Sequence, residues 1–354
     1  MSLHDAGRPF GVALVGHGYS GRTLHVPLIE ATPGLELLSV VSSGPGPFGQ
    51  GGARRADLDS VLADPDVRLV VAATPTATHG AVAEQALLAG KHVVVDKPMC
   101  ATAAEAARLA ALAEARGLML TVFHNRRWDS DFLTLKSLIA DGKLGEVHHF
   151  ESRWSRHRPM VRDRWRERAG PGAGVWFDLG SHLVDQALQL FGEPAWVLGD
   201  LASQRGGGAH DYMHVVLGYP SGLRAILHGG PLAPAPEPRF IVHGSAGSYL
   251  KEGLDLQEQA LAAGKQPAGA DWGVDPRPGR LVDAATGAGF EIPSRPGAWP
   301  AFYVQVRDAM MGGSPPVAAS EAVRVIEVIE RAIESAKAGR RWTGGAGASE
   351  KPHP

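Results

Sequence analysis

Gly16-His17-Gly18-Tyr19-Ser20-Gly21 directly follows the apolar run Gly11-Val12-Ala13-Leu14-Val15. This is a G-x-G-x-x-G placed where a strand passes into a helix, the context in which the spacing carries meaning. Gly16 permits the tight turn, Gly18 lets a pyrophosphate approach the backbone, and Gly21 lets helix and strand pack closely. Tyr19 and Ser20 fall at the helix N-terminus, where peptide N–H groups attract an anion. The stretch therefore predicts a dinucleotide-binding turn.

Working outward, short apolar runs at 35–41, 68–73, 92–95 and 119–123 alternate with longer amphipathic stretches, the grammar of a parallel sheet with crossover helices. The clearest helix is 103–116, with Thr102 and Glu105 spaced as a capping box and Gly117 as its stop. Residues 44–52 read as a Gly/Pro-rich loop. After a helix at 130–140 the pattern changes to alternating runs at 147–155, 212–219, 223–228 and 239–243, which predict an antiparallel sheet. Residues 253–300 show no dependable period and read as loop with one strand at most. A strong amphipathic helix follows at 320–337, with Ala322, Ile326, Ile329 and Ile333 on one stripe. The expected division is a dinucleotide-binding domain over 1–125 and a substrate and oligomerisation α+β domain over 126–343. Helix 320–337 is free to pack back on the first domain, and 344–354 is expected to be a disordered tail.

Composition narrows the function. The chain has 354 residues, 44% of them hydrophobic, enough for a core in each domain. Its 35 Lys and Arg balance 37 Asp and Glu, which argues against a nucleic-acid partner. Cys100 has no cysteine to pair with, and neither an export signal nor a long apolar span is present, so a cytoplasmic protein away from membranes is expected.

A site for NAD usually ends its second strand on Asp or Glu, which holds the ribose 2′-hydroxyl. Here that strand ends Val40-Val41-Ser42-Ser43-Gly44, with no acid. Ser42 and Ser43 leave room for a 2′-phosphate, and Arg54 or Arg55 can pair with it, so NADP is expected over NAD, with NAD possible.

Further segments accumulate: Ala73-Thr74-Pro75-Thr76 with His79, then Asp96-Lys97-Pro98, and later Gly174-Val175-Trp176-Phe177-Asp178-Leu179-Gly180-Ser181-His182-Leu183-Val184-Asp185. Together these resemble the Gfo/Idh/MocA oxidoreductases, with Asp96 standing where that family usually has glutamate. The run Val122 to Asp129 is similar to the branch that includes NADP-dependent scyllo-inositol dehydrogenases. The resemblance implies an α/β chain: an N-terminal Rossmann domain with a parallel sheet, and a C-terminal α+β domain with a large open antiparallel sheet. It also implies homodimers or homotetramers packed through that sheet.

An alcohol dehydrogenase needs a group that takes the hydroxyl proton and a donor that holds the alkoxide. Lys97, Asp178 and His182 fit those needs as catalytic residues within the resemblance. Asp178 and His182 are four apart with Asp185 a further three along, one face if the segment is a helix. His182 is the candidate base because its ordinary pKa of about 6.5 suits reversible transfer. Lys97 either stabilises the alkoxide as a cation or is itself the base. Thr74, Pro75, Thr76, His79, Asp96, Lys97, Asn125 and Trp165 are expected at the cofactor, and His124, Arg126 and Trp128 beside Lys97, Asp178 and His182 at the substrate. No metal is expected, since Asp178 and His182 lack a third ligand at recognisable spacing.

The expected activity is hydride transfer between NADP and a secondary alcohol or ketone of a sugar or cyclitol, best an inositol. The alternatives are reduction of another carbonyl or imine, a noncatalytic NADP-binding sensor, and redox-assisted glycoside cleavage.

Overall fold

A computed structural model describes residues 8–44, 46, 48, 49 and 53–344; most of the loop expected at 44–52 and the tail from 345 lie outside the described residues. The chain divides into two compact units. The first comprises Met1–Leu133, Asp255–Asp275 and Arg295–Ile326, and the second Thr134–Leu254, Pro276–Ser294 and Glu327–Pro354.

The first unit is built on six parallel strands: β1 (Phe10–Val15), β2 (Leu35–Val41), β3 (Arg54–Ala56), β4 (Val67–Ala72), β5 (His92–Val95) and β6 (Leu120–Val122), in the order β3-β2-β1-β4-β5-β6. Five match the expected runs to within two residues at either end, and β3 is an added edge strand. Val12, Leu14, Val40, Val71 and Val94 are buried, as strands covered on both faces require. The helix Ala103–Ala115 begins where expected, with the Thr102 side chain accepting from the Glu105 N–H, and Gly117 follows it at φ 60°.

Chain from beyond residue 290 completes this core. Trp299, Phe302, Tyr303 and Val306 pack with the strand side chains, and Phe123 meets Phe302 edge to face at 4.9 Å. Trp299 donates its indole N–H to Asp129 at 2.8 Å, and the Thr121 hydroxyl donates to the Val317 carbonyl at 2.7 Å. These bonds fix returning segments that carry no period of their own.

The second unit holds nine strands: β7 (Val147–Arg153), β8 (Trp196–Ala202), β9 (Tyr212–Gly218), β10 (Arg224–Gly229), β11 (Pro238–Gly244), β12 (Gly247–Glu252), β13 (Gly279–Asp283), β14 (Gly289–Ile292) and β15 (Trp342–Thr343). Their order is β14-β13-β12-β11-β7-β10-β9-β8-β15. The sheet is mixed, which corrects the antiparallel expectation: β10 runs parallel to β7 at its centre, although every other neighbouring pair is antiparallel. After β7 the chain crosses over through the helix Ser181–Phe191, so that two hairpin reversals bring β10 back in the direction of β7. Residues 253–300 hold the short helix Gln257–Ala262 and both β13 and β14, more structure than their sequence suggests. β14 is largely solvent-facing and β13 mostly half-buried, so no apolar alternation marks them. The helix Ala319–Ala338 buries Ala322, Ile326 and Ile329 of the expected stripe and leaves Ile333 half-buried.

A buried polar knot joins two parts of the first unit. The His25 ring, fully buried, lies 2.6 Å through Nδ1 from the Tyr303 hydroxyl. Burial pulls its pKa down to about 4, against the attraction of Asp96. An unfolded histidine takes up its proton near pH 6.5. Between about pH 6.5 and 4 the unfolded chain therefore binds more protons than the folded one, and stability falls as pH is lowered. This gap corresponds to ~3 kcal/mol. In urea unfolding followed between pH 7 and 4.5, the midpoint should drop, and His25→Asn should show a shallower drop. Identical slopes for the two proteins would exclude a buried neutral His25.

Candidate active site

The glycine turn lies where β1 parts from its neighbours β2 and β4, the point at which open α/β sheets bind ligands. Gly16 has φ 103°, and a Cβ there would sit 2.5 Å from the Ala73 carbonyl oxygen. A Cβ on Gly21 would lie 2.2 Å from the Gly16 oxygen, whereas one on Gly18 would meet nothing within 4 Å. Two glycines are thus required by neighbouring backbone, and the third leaves an open face. That is a cradle a pyrophosphate fits. After Ser20 the chain makes a wide π-helical turn, Gly21–His25, before the helix Val26–Glu30. Tyr19 is half exposed and donates its hydroxyl to Glu258 at 3.1 Å.

Beyond β2, the Gly44 N–H donates to the Ser42 hydroxyl at 3.1 Å, and Arg55 donates Nε to the Ser42 carbonyl at 3.1 Å and Nη2 to that of Gly44. Ser43 lies between these contacts. Arg54 turns away to Asp64, 3.5 Å off.

Thr74, Pro75 and Thr76 form the exit of β4, where the Thr78 hydroxyl donates to Thr74 Oγ1 at 2.8 Å. The buried His79 ring is held between the Thr74 carbonyl at 2.8 Å and that of Pro98 at 2.9 Å, tying this exit to that of β5. Asp96 is buried there, and its Oδ1 accepts from the Lys97 N–H at 2.8 Å. Burial raises its pKa, but neighbouring cationic groups, Lys97 and His79 among them, outweigh that and hold it below the usual carboxylate range. Lys97 is half-buried, with a cis bond to Pro98.

At the end of β6, His124 and Asn125 are buried. Arg126 is also buried, ion-paired to Asp129 at 3.3 Å and to Glu258, with its guanidinium 4.9 Å from the Trp299 ring centre. Trp128 packs edge to face on Phe302 at 5.8 Å. Both side chains are engaged within the first unit's interior.

In the second unit, Asp178 sits on a π-helical turn, Trp176–Gly180, and His182 on the first turn of Ser181–Phe191. A regular α-helix through both was the expectation; the wider turn accommodates the Trp176 ring, which would lie 2.1 Å from a Cβ on Gly180. Asp178 is paired with Arg166 Nε at 3.2 Å, and that guanidinium lies 4.3 Å from the Trp165 ring centre. His182, buried, stacks on Trp154 with ring centres 5.7 Å apart. Arg239, also buried, donates to Ser152 at 2.6 Å and to Gln186, one helical turn beyond His182, at 2.7 Å. The Val175 N–H donates to the His210 carbonyl at 2.9 Å, fixing the start of the turn.

Trp154, Arg239 and His210 escaped the sequence reading because each meets the helix from a distant strand or loop. The only signal was alternation, which marks Trp154 as inward-facing but not what it faces. Among the described residues, no group of three or more His, Cys, Asp or Glu could hold a metal ion, and no helix is long and apolar enough to cross a membrane.

Residues 10–124 match the family model described as the oxidoreductase family with an NAD-binding Rossmann fold, and residues 132–250 match the GFO/IDH/MocA C-terminal domain. The uncharacterized oxidoreductase YdgJ of Escherichia coli (strain K12) is 50% identical over 339 residues, covering 92% of this chain and 96% of that protein. The scyllo-inositol 2-dehydrogenase (NADP(+)) IolW of Bacillus subtilis (strain 168) is 38% identical over 335 residues, covering 92% and 93%. The solved structure of the oxidoreductase yvaA from Bacillus subtilis superposes with a TM-score of 0.91 at 37% identity, over 95% of this chain and 98% of that one. On both of its family models and on these full-length relatives, the chain belongs to the GFO/IDH/MocA oxidoreductases, NAD(P)-binding enzymes with a Rossmann domain.

Proposed function

We propose that this oxidoreductase prefers NADP and interconverts a secondary alcohol and a ketone on a sugar or cyclitol, with an inositol as the first candidate. The observation that carries the reading is the glycine turn, open at Gly18 and closed by backbone at Gly16 and Gly21. The preference for NADP is supported by the acid-free end of β2 and by Arg55 lying against Ser42 and Gly44, a cation available to a 2′-phosphate. IolW carries NADP(+) and an inositol in its name, which supports both halves of the proposal.

A bound nicotinamide would supply the hydride exchange with the carbinol carbon. In the proposed division of labour His182 takes the hydroxyl proton, with Trp154 fixing its ring plane. Asp178, with its carboxylate oriented by Arg166, accepts from a substrate hydroxyl. Lys97 donates to the oxygen as negative charge develops there. His124 and Asn125, with Thr74, Pro75, Thr76, His79, Asp96 and Trp165, complete the proposed cofactor and substrate contacts, and Arg126 and Trp128 support that wall from the interior. The chain is also proposed to form a homodimer or homotetramer through the nine-stranded sheet, one face of which is half-buried at alternate positions in β9 and β10.

Purified protein should bind NADPH more tightly than NADH and show the same preference in kcat/KM; a clear preference for NADH would reject the reading of Ser42 and Ser43. Turnover on a panel of inositols, aldoses and their keto forms should fall by ~10²–10⁴ in both Lys97→Ala and His182→Ala. Retention of wild-type turnover in either variant would remove that residue from the chemistry. Light scattering should give a mass of two or four chains, and a monomer at micromolar concentration would reject the assembly.

A further inference from the structure

Beside Asp178 the second unit contains a cavity of about 60 Å³ whose lining includes five arginines, Arg156, Arg158, Arg164, Arg166 and Arg205, against three carboxylates, Glu167, Asp178 and Asp211. At roughly 10–15 Å³ for each water-sized sphere it admits only a few water molecules. That suits one end of a ligand rather than a whole sugar ring.

Its walls are fixed before any ligand arrives. Glu167 accepts from the Arg162 N–H at 2.8 Å and from Arg164 at 2.7 Å, and lies 3.2 Å from Arg205. Asp211 accepts from the Gln204 N–H at 2.7 Å and from Arg205 Nε at 2.8 Å. In both, burial raises the pKa but these bonds and charges outweigh it, so both stay ionised. Arg156 and Arg158 are two apart on an extended segment tied to Gly230 and Pro231 by backbone bonds of 2.9 and 2.6 Å, so they share one face. The Arg156 guanidinium also lies 5.2 Å from the centre of Trp154, the ring on which His182 stacks. The cavity is thus joined to the proposed base through one side chain.

We infer that this cavity takes the carboxylate of a sugar acid, so that beside neutral polyols the protein accepts sugar acids and binds them more tightly than their uncharged counterparts. Guanidinium groups pair with carboxylate in two parallel hydrogen bonds, and a partly enclosed site strengthens the attraction. The wall is net positive, five guanidinium groups against three carboxylates, so it attracts an anion, and its small volume suits the flat, three-atom carboxylate over a tetrahedral phosphate. This refinement of the substrate class rests on the proposed dehydrogenase function, but binding tests it without turnover.

Calorimetric titration of the NADP-loaded protein would compare glucuronate, galacturonate and gluconate with their uncharged amides and with glucose 6-phosphate. At least one acid should bind tenfold or more tightly than its amide. Arg158→Gln should abolish that difference, Arg158→Lys should retain part of it, and NADPH affinity should stay within twofold in both. Arg156→Gln, made independently, should lose the difference as well.

Equal binding of all three acids and their amides would overturn the inference, and so would tighter binding of the phosphate ester. Parallel loss of NADPH affinity in Arg158→Gln would assign the cavity to the cofactor's phosphates and overturn it too. Selective acid binding without oxidation of any polyol would support the cavity and reject the dehydrogenase reading. Oxidation of neutral polyols without acid selectivity would do the reverse.

Discussion

Everything in the first unit depends on how closely two stretches of backbone approach at the exit of β1. The 2.5 Å that would separate a Gly16 Cβ from the Ala73 oxygen leaves no room for any side chain, and Gly21 is as tightly placed against Gly16. Only with both positions bare can the chain turn sharply enough to start a helix over the ends of β1 and β4. The Gly16 N–H bonds the Val41 carbonyl at 2.9 Å, tying the turn to the end of β2. Gly18, by contrast, is open: a Cβ there would meet nothing within 4 Å.

The second unit solves a different problem. Its loops around 155–175 and 203–211 are rich in glycine and arginine and cannot be fixed by apolar packing, so charge fixes them. Arg164 and Arg205 converge on Glu167, and Arg205 also reaches Asp211. Such pairs add little net stability once desolvation is subtracted, but they specify geometry. Beneath them, the stack of Trp154 on His182 and the bonds from Arg239 hold the helix that carries the imidazole.

The parallel half was legible because buried strands announce themselves as unbroken apolar runs, and because Gly16, Gly18 and Gly21 sit at fixed offsets after the first of them. Residues 253–300 were opaque for the opposite reason. β13 and β14 are short, the first half-buried and the second largely solvent-facing, and the helix Gln257–Ala262 is too short to show a period. The parallel neighbours β7 and β10 were equally invisible, since alternation reports burial and not direction. At the candidate site, sequence indicated Lys97, Asp178 and His182 as candidates but not the wide turn beneath Asp178. It also placed Arg126 at a substrate wall without revealing that Asp129 and Glu258 hold its guanidinium inside.

The first unit is discontinuous: it takes Trp299, Phe302, Tyr303 and Val317 into a core whose strands are finished by residue 122. A ribosome therefore releases the whole glycine turn and parallel sheet well before the side chains that seal them exist. During that interval the apolar surface meant for Trp299 and Phe302 faces water or a chaperone. Synthesis of the glycine turn and of the side chains that seal this unit is thus separated by the synthesis of most of the other one. Cutting the chain after the last parallel strand would leave a sheet with its nucleotide turn but without its seal.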